Sequence, residues 1–424
     1  MNKLTIIVTY YNAEEYITGC LESIKQQRTQ DFNLIIVNDG STDQSKKLMD
    51  EAIKDYDKNI RFIDLDENSG HAHARNIALE EVETPYFMFL DADDELASYA
   101  ITFYLEKFNN TDGLIAPIHS FTTQRPQFVD LDRVRVEYFN AKGNINSFLR
   151  KQSACNIIFR TAIVRAHHIR FNENLNTYVD WSFVLEYMKY VNKFVRIFNF
   201  PFYFRGEVYD PFETLTLSEQ NFDILFKDYV NSFYDAIKRA TNPKVREFIV
   251  TKMGNKIANE FEPTRYDINE RYQTHKDTLV ELSKFLHVHL VKKQKLINKI
   301  ETILLMNNET DKAFKVNQFR KTLRHVKNIV LRRKNKERSL YDLTDKEDNV
   351  KPKTIVFESF GGKNYSDSPK YIYEYMQKYY PNYRYIWSFK NPDKNVVPGS
   401  AEKVKRNSAE YYQAYSEASH WVSN

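Results

Sequence analysis

Residues 86–94 read Tyr86-Phe87-Met88-Phe89-Leu90-Asp91-Ala92-Asp93-Asp94. The bulky, uncharged side chains of Tyr86 to Leu90 fit a buried strand. Three carboxylates then crowd the end of that strand, and like charges so close repel one another unless a cation lies between them. A hard divalent cation with oxygen ligands meets that need, and such sites commonly hold nucleotide phosphates as well. Solvated Asp-rich turns are common, so the cluster takes its meaning from its surroundings.

Upstream, Thr5-Ile6-Ile7-Val8 and Leu34-Ile35-Ile36-Val37 have the same apolar character, and Arg61-Phe62-Ile63 is a shorter version. Between them the spacing turns helical. One helix is predicted from about Ala13 to Gln27, and another after Ser41 or Thr42, either of which can cap it, with Leu48, Ala52 and Tyr56 on one face. A third carries Ala74, Ile77 and Ala78. Strand–helix alternation with short turns predicts an α/β fold, a mainly parallel sheet with helices on both faces. Ligands of such sheets bind beyond the carboxyl ends of the strands. Polar residues gather there: Thr9, Tyr10 and Asn12 after the first strand, Asn38, Asp39 and Gly40 after the second, Asp91 and Asp93 after the fourth. The first turn, Tyr10-Tyr11-Asn12, lacks the Gly-x-Gly-x-x-Gly of dinucleotide sites, and the chain has no Gly-x-x-x-x-Gly-Lys-Ser/Thr phosphate loop.

A length of 424 residues suggests two or three domains. The 61 basic and 57 acidic residues nearly balance, but residues 1–216 hold 23 basic and 31 acidic groups, a net of −8, and the remainder a net of +12. An acidic first half does not suit a nucleic-acid binder. Cys20 and Cys155 are the only cysteines, which excludes a disulfide framework or a zinc knuckle and fits a reducing cytosol. No apolar run is long enough for a membrane span, and Met1-Asn2-Lys3 leads directly into a strand with no signal-peptide layout. The expected location is cytoplasmic.

The first half resembles glycosyltransferase family 2, the inverting nucleotide-sugar enzymes of GT-A fold. The resemblance rests on Ile7-Val8-Thr9-Tyr10-Tyr11-Asn12, Val37-Asn38-Asp39-Gly40-Ser41-Thr42-Asp43, Asn68-Ser69-Gly70 leading to Ala74-Arg75-Asn76, and Leu90-Asp91-Ala92-Asp93-Asp94. Cys155-Asn156-Ile157-Ile158-Phe159-Arg160 and the segment near Asp180 extend it to about Thr216. The resemblance implies a UDP-sugar donor site that includes Thr9, Tyr11, Asn12, Asn68 and Gly70. In it Asp39 accepts a hydrogen bond from uracil and Arg75 lies along the nucleotide. Asp91 sits near the ribose and metal-bound water, and Asp93 holds Mg²⁺ or Mn²⁺ against the diphosphate. Asp94 is read as facing solvent. In Tyr178-Val179-Asp180-Trp181-Ser182-Phe183, Asp180 matches the catalytic aspartate, while Val179 stands where the family usually has glutamate. Asp180 would take the proton of an acceptor hydroxyl; the plainer reading makes it a helix N-cap. Tyr203 and Arg205 fall where relatives carry a flexible loop over the donor. His71 and His73 read as helix-surface or pocket-lining residues, because Mg²⁺ prefers oxygen. Met88, Phe89 and Trp181 read as core.

The last section resembles the start of the CDP-glycerol glycerophosphotransferase family, the teichoic-acid polymerases of GT-B fold. The matching residues are Phe357-Glu358-Ser359-Phe360-Gly361-Gly362-Lys363, Tyr365-Ser366-Asp367-Ser368-Pro369-Lys370-Tyr371-Ile372-Tyr373, Tyr385-Ile386-Trp387 and His420-Trp421-Val422-Ser423-Asn424. Strands are predicted at Ile355–Phe357 and Tyr385–Trp387, with a helix over about Pro369 to Lys378. The expected organisation is a GT-A domain over 1–216, a helical basic connection over 217–350, and the truncated start of a glycerophosphotransferase domain over 351–424, all within a longer two-enzyme polypeptide. Residues 319–338 hold nine basic groups and one acidic group, with Phe319, Leu323, Val326 and Val330 at helical spacing. Such a helix can lie on an anionic membrane surface, or pack its apolar face on a neighbouring domain. Together these features predict a peripheral enzyme of the inner membrane face, moving a sugar from a UDP-sugar to a teichoic-acid or polyol-phosphate capsule polymer. The alternatives are a CDP-glycerol transferase with an accessory first module, and a non-catalytic carbohydrate-binding scaffold.

Overall fold

The computed structural model describes residues 2–56, 59–108, 110–120, 130–140, 153–175, 177–206, 222–261, 268–290, 296–331, 336–344 and 350–424. They form two compact units, one of residues 1–260 with 288–292, the other of residues 261–287 with 293–424.

The first unit is built on strands β1 (Leu4–Tyr10), β2 (Phe32–Asn38), β3 (Ile60–Asp64) and β4 (Tyr86–Asp91). They run parallel in the order β3-β2-β1-β4. All seven residues of β1 are buried, as a central strand with uninterrupted apolar character requires. Helices α1 (Ile17–Lys25), α2 (Ser45–Ile53) and α3 (His71–Glu80) follow the first three strands. Neither Ser41 nor Thr42 caps α2, because both are spent earlier. Ser41 Oγ accepts from the Asn12 N–H, and the Thr42 N–H donates to Asn12 Oδ1, tying the first two loops together.

After β4 come β5 (Glu95–Leu96), α4 (Ala100–Lys107), β6 (Gly113–Ile115), β7 (Ile118–Ser120), β8 (Val136–Asn140), β9 (Ile157–Arg160) and α5 (Thr161–Ala166). They are followed by α6 (Asp180–Met188), β10 (Lys193–Ile197) and β11 (Tyr203–Arg205). Strand β9 pairs antiparallel with β4, and the sheet continues through β6, β10 and β8. Its core is aromatic: Phe89, Phe159, Phe171 and Phe183 pack with ring centroids 4.1–6.1 Å apart. Phe89 is core, as its apolar run indicates. Tyr203, however, is a buried strand residue, because β11 pairs with β5 and β7 in a small second sheet. Helices α7 (Phe222–Arg239) and α8 (Pro243–Glu260) close this unit, Phe233 packing on Trp181 with centroids 4.7 Å apart.

The second unit contains α9 (Ile268–Thr274), most of α10 (Lys276–Leu290), α11 (Leu296–Met306), α12 (Thr310–Val330) and α13 (Lys336–Thr344). They precede a parallel sheet in the order β14 (Glu402–Lys405), β13 (Arg384–Phe389), β12 (Lys351–Glu358), β15 (Ala418–Ser423). Alternation sends Phe357, Tyr385 and Trp387 to one face and Val356 and Ile386 to the other. Helix α14 (Asp367–Tyr379) covers the predicted helical stretch, and α15 (Ala409–Glu417) leads into β15.

Candidate active site

Parallel register aligns the carboxyl ends of the first four strands, with Thr9 beside Asp91 and Tyr10 beside Asn38. The loops beyond them line a cavity of about 760 Å³. Thr9, Tyr11, Asn12, Asp39, Asn68, Gly70, Arg75, Asp91, Asp93, Asp180 and Arg205 all border it. The eleven candidates therefore meet in one place, although they come from segments far apart in sequence.

Asp39 is buried, and it holds the third loop. The Ser69 and Gly70 N–H groups donate to its two oxygens at 2.8 and 3.0 Å. Gly40 makes that approach possible: its φ is +66°, and a Cβ there would lie 2.4 Å from the carbonyl carbon of Glu67. A carboxylate can accept more than two hydrogen bonds, so Asp39 still has acceptor capacity toward the cavity.

Asp91, Asp93 and Asp94 bring carboxylate oxygens within 4.8 Å of one another. Asp94 does not face solvent. It is buried, because β5 turns inward at once to pair with β11, and its carboxylate accepts from the Tyr203 hydroxyl and the Gly206 N–H. Burial and then the Asp91 charge push the Asp93 carboxyl up to about 6, and burial with Asp91 and Asp93 pushes Asp94 up to about 8. Asp91 behaves oppositely. Burial is the largest influence and opposes its ionisation, but the Arg75 charge, the neighbouring His71 and the hydrogen bonds from Cys155 and Arg75 together outweigh it and hold it down at about 2. A compact set of hard oxygen donors, too crowded to ionise fully alone, fits a divalent cation of the Mg²⁺ or Mn²⁺ kind.

A raised carboxyl binds more protons folded than unfolded, so in the metal-free chain this cluster loses stabilisation as pH rises from about 4 toward 8. Metal binding must displace the same protons. Calorimetric Mn²⁺ affinity is therefore expected to rise steadily between pH 5 and 8, with proton release. Affinity flat across that interval would contradict the assignment.

Asp180 opens α6 but does not cap it. Its Oδ1 accepts from Arg75 Nη1 at 2.6 Å, and its Oδ2 from the Ala154 N–H at 2.9 Å. Arg75 is 1% exposed and its Nη2 also donates to Asp91 Oδ1 at 2.6 Å, so two carboxylates engage its guanidinium at the cavity edge. His71 borders the cavity; burial and then Arg75 hold its imidazole down at about 4, hence neutral near pH 7. His73 meets Glu173 at 3.0 Å. Arg205 reaches the cavity from the end of β11, a strand position rather than a loop.

Sequence reasoning did not assign three participants. Cys155 is buried with its Sγ 3.1 Å from both Arg75 Nη2 and Asp91 Oδ2. Tyr178, at φ +58°, borders the cavity just before α6. Trp181, read as core, is largely buried but also borders the cavity, with Lys252 Nζ 4.7 Å from its ring centre. The positive φ carried no sequence signal; the cysteine was visible only as part of the Cys155-Asn156 motif.

A sheet of this topology with an Asp-x-Asp cluster at its carboxyl edge defines a glycosyltransferase module of the GT-A class. Residues 5–168 match the sequence model of Glycosyl transferase family 2, and residues 340–424 that of CDP-Glycerol:Poly(glycerophosphate) glycerophosphotransferase. The chain thus joins a family 2 glycosyltransferase module to a glycerophosphotransferase-family module. Glycosyltransferase GlyA of Streptococcus pneumoniae is 38% identical over 104 residues, covering 24% of this chain and 15% of that protein. The poly(ribitol-phosphate) beta-N-acetylglucosaminyltransferase TarS of Staphylococcus aureus is 28% identical over 201 residues, covering 44% and 32% respectively. A poly(ribitol-phosphate) beta-glucosyltransferase of Bacillus spizizenii is 34% identical over 115 residues, covering 26% and 18%. The chain spans less than a third of each of these relatives. The crystal structure of S. aureus TarS 1–349 with UDP-GlcNAc superposes with a TM-score of 0.58 at 18% identity, over 74% of this chain and 90% of that one, a likeness of fold.

Proposed function

We propose that the first unit is an inverting glycosyltransferase that moves a sugar from a UDP-sugar to a hydroxyl of a teichoic-acid or polyol-phosphate capsule polymer. The observation that carries this reading is the meeting of the acidic cluster and Asp180 in one cavity. Asp39, with Asn12, Asn68 and Gly70 nearby, supplies acceptors and backbone groups suited to a uracil and ribose. Asp180 takes the proton of the acceptor hydroxyl as its oxygen bonds to the anomeric carbon. The bond from that carbon to the diphosphate oxygen breaks on the opposite face, and UDP departs with that electron pair. Asp93 and Asp91 would hold the dication, with Asp94 beside them; when bound, it would neutralise charge on the departing diphosphate. The polymer assignment rests on the glycerophosphotransferase-family module and on what TarS and its relatives act upon. The test is UDP release from a panel of UDP-sugars with Mn²⁺ and purified ribitol- or glycerol-phosphate polymer. No release from any pair would overturn the reading, and CDP release from CDP-glycerol would replace it with a polyol-phosphate transferase.

The proposal extends to a peripheral place on the inner membrane face. Among the described residues no helix is long and apolar enough to cross a membrane. On α12, Phe319, Leu323, Val326 and Val330 are 57%, 45%, 44% and 70% exposed. Lys321, Arg324 and Lys327 lie on the same helix; residues 332–335 of the basic run are outside the described residues. An exposed apolar stripe among cations suits anionic lipid. Co-sedimentation with vesicles containing phosphatidylglycerol is expected to exceed that with neutral vesicles at least about fivefold, given about 1 kcal/mol per basic residue at such a surface. Equal binding to both would defeat the membrane assignment.

A further inference from the structure

Arg75 enters from α3, yet its contacts lie on four other segments. Its Nη1 reaches Asp180 Oδ1 at the start of α6, and its Nη2 reaches Asp91 Oδ1 at the end of β4, each at 2.6 Å. The guanidinium carbon lies 4.9 Å from the Phe89 ring centre and 5.3 Å from that of Phe171, so the plane is held by aromatic rings as well. The second oxygen of each carboxylate is fixed from the segment before β9. The Ala154 N–H donates to Asp180, and the Cys155 S–H to Asp91. Arg75 Nε is buried with no hydrogen-bond partner among the described residues. The guanidinium's orientation is set by two carboxylates on separate elements.

We infer that Arg75 is a positioning residue: one guanidinium fixes the spacing between the proton-accepting Asp180 and the donor-side Asp91, and so sets the acceptor hydroxyl against the anomeric carbon. This rests on the glycosyltransferase reading above. A guanidinium presents two N–H groups in a rigid fork, whereas an ammonium is a point donor on a flexible stem and cannot hold both carboxylates in the same geometry. Misplacement of a base relative to the reacting atoms acts on turnover more than on donor binding.

The experiment uses the full chain. Arg75→Ala would leave two carboxylates uncompensated and is expected to fold poorly, so the informative variant is Arg75→Lys, which keeps the charge. UDP with Mn²⁺ is the calorimetric probe; UDP-N-acetylglucosamine with poly(ribitol phosphate) is the turnover probe. Arg75→Lys is expected to keep the UDP affinity and the donor KM within about threefold, while kcat falls at least about 100-fold. In an Asp180→Asn background the same change is expected to alter kcat by less than about threefold, because its effect passes through that carboxylate. A kcat within threefold of wild type, a loss confined to UDP affinity, or full additivity with Asp180→Asn would each overturn the positioning role. A wild-type chain that neither binds UDP nor releases it from this donor overturns the donor reading itself, and this inference with it.

Discussion

Asp93→Ala is expected to lower UDP-sugar turnover by at least about 10³-fold, a loss of several kcal/mol of charge stabilisation around the departing diphosphate. The size of the effect follows from how the three carboxylates are used. Asp91 is committed to Arg75 and Cys155, and Asp94 to Tyr203 and Gly206. Asp93 borders the cavity and makes no side-chain hydrogen bond to another described residue. It is therefore the carboxylate freest to take a cation. Its removal also takes one negative charge away from Asp94, so the metal-free variant should melt no lower than wild type. Calorimetry should show the Mn²⁺-dependent part of UDP binding lost. A variant that keeps Mn²⁺-dependent UDP binding and turnover would show that the cluster is not the cation site.

Asp180→Asn is expected to reduce kcat by about 10³-fold while leaving UDP affinity near wild type, since loss of a general base costs roughly 10²–10⁴. The structure adds a second effect. Asp180 accepts from two donors, Arg75 Nη1 and the Ala154 N–H, one on each oxygen. An asparagine has one acceptor oxygen, so its amide nitrogen must face one of those donors, at a stability loss of about 1–3 kcal/mol. A modest fall in melting temperature should accompany the loss of turnover. If turnover survived the substitution, Asp180 would be a structural partner of Arg75 and the base would lie elsewhere.

The two effects differ in where they are read. Asp93 acts through the diphosphate and should appear in both turnover and Mn²⁺-dependent UDP binding; Asp180 acts on the acceptor and should appear in kcat alone. Loss of UDP binding together with turnover in Asp180→Asn would point to collapse of the Arg75 bridge rather than to a base role.

Much of the first unit was legible in the chain because its signals are local. Continuous apolar runs such as Thr5–Val8 and Leu34–Val37 leave few alternatives to buried strands, and each is followed by polar residues where a parallel sheet opens its crevice. Helix starts were less legible. Ser41 and Thr42 satisfy a local capping rule, but contacts with Asn12, about thirty residues away in sequence, compete for the same groups and win. Asp94 looked solvated for a similar reason: nothing nearby announces that Tyr203, 109 residues later, will cover it.

The sequence alone determined which residues can carry charge to the strand ends, since the apolar runs fix the strands and the strands fix where the carboxylates emerge. Only the tertiary structure decided how those carboxylates differ. Asp91 is held ionised by a guanidinium delivered from α3, while Asp93 and Asp94 are pushed toward their protonated forms by burial and by Asp91. Proton affinity depends on distances between charges and on the water excluded around them, and those quantities exist only once Arg75, Cys155, Tyr203 and Asp180 have been brought together from four separate parts of the chain.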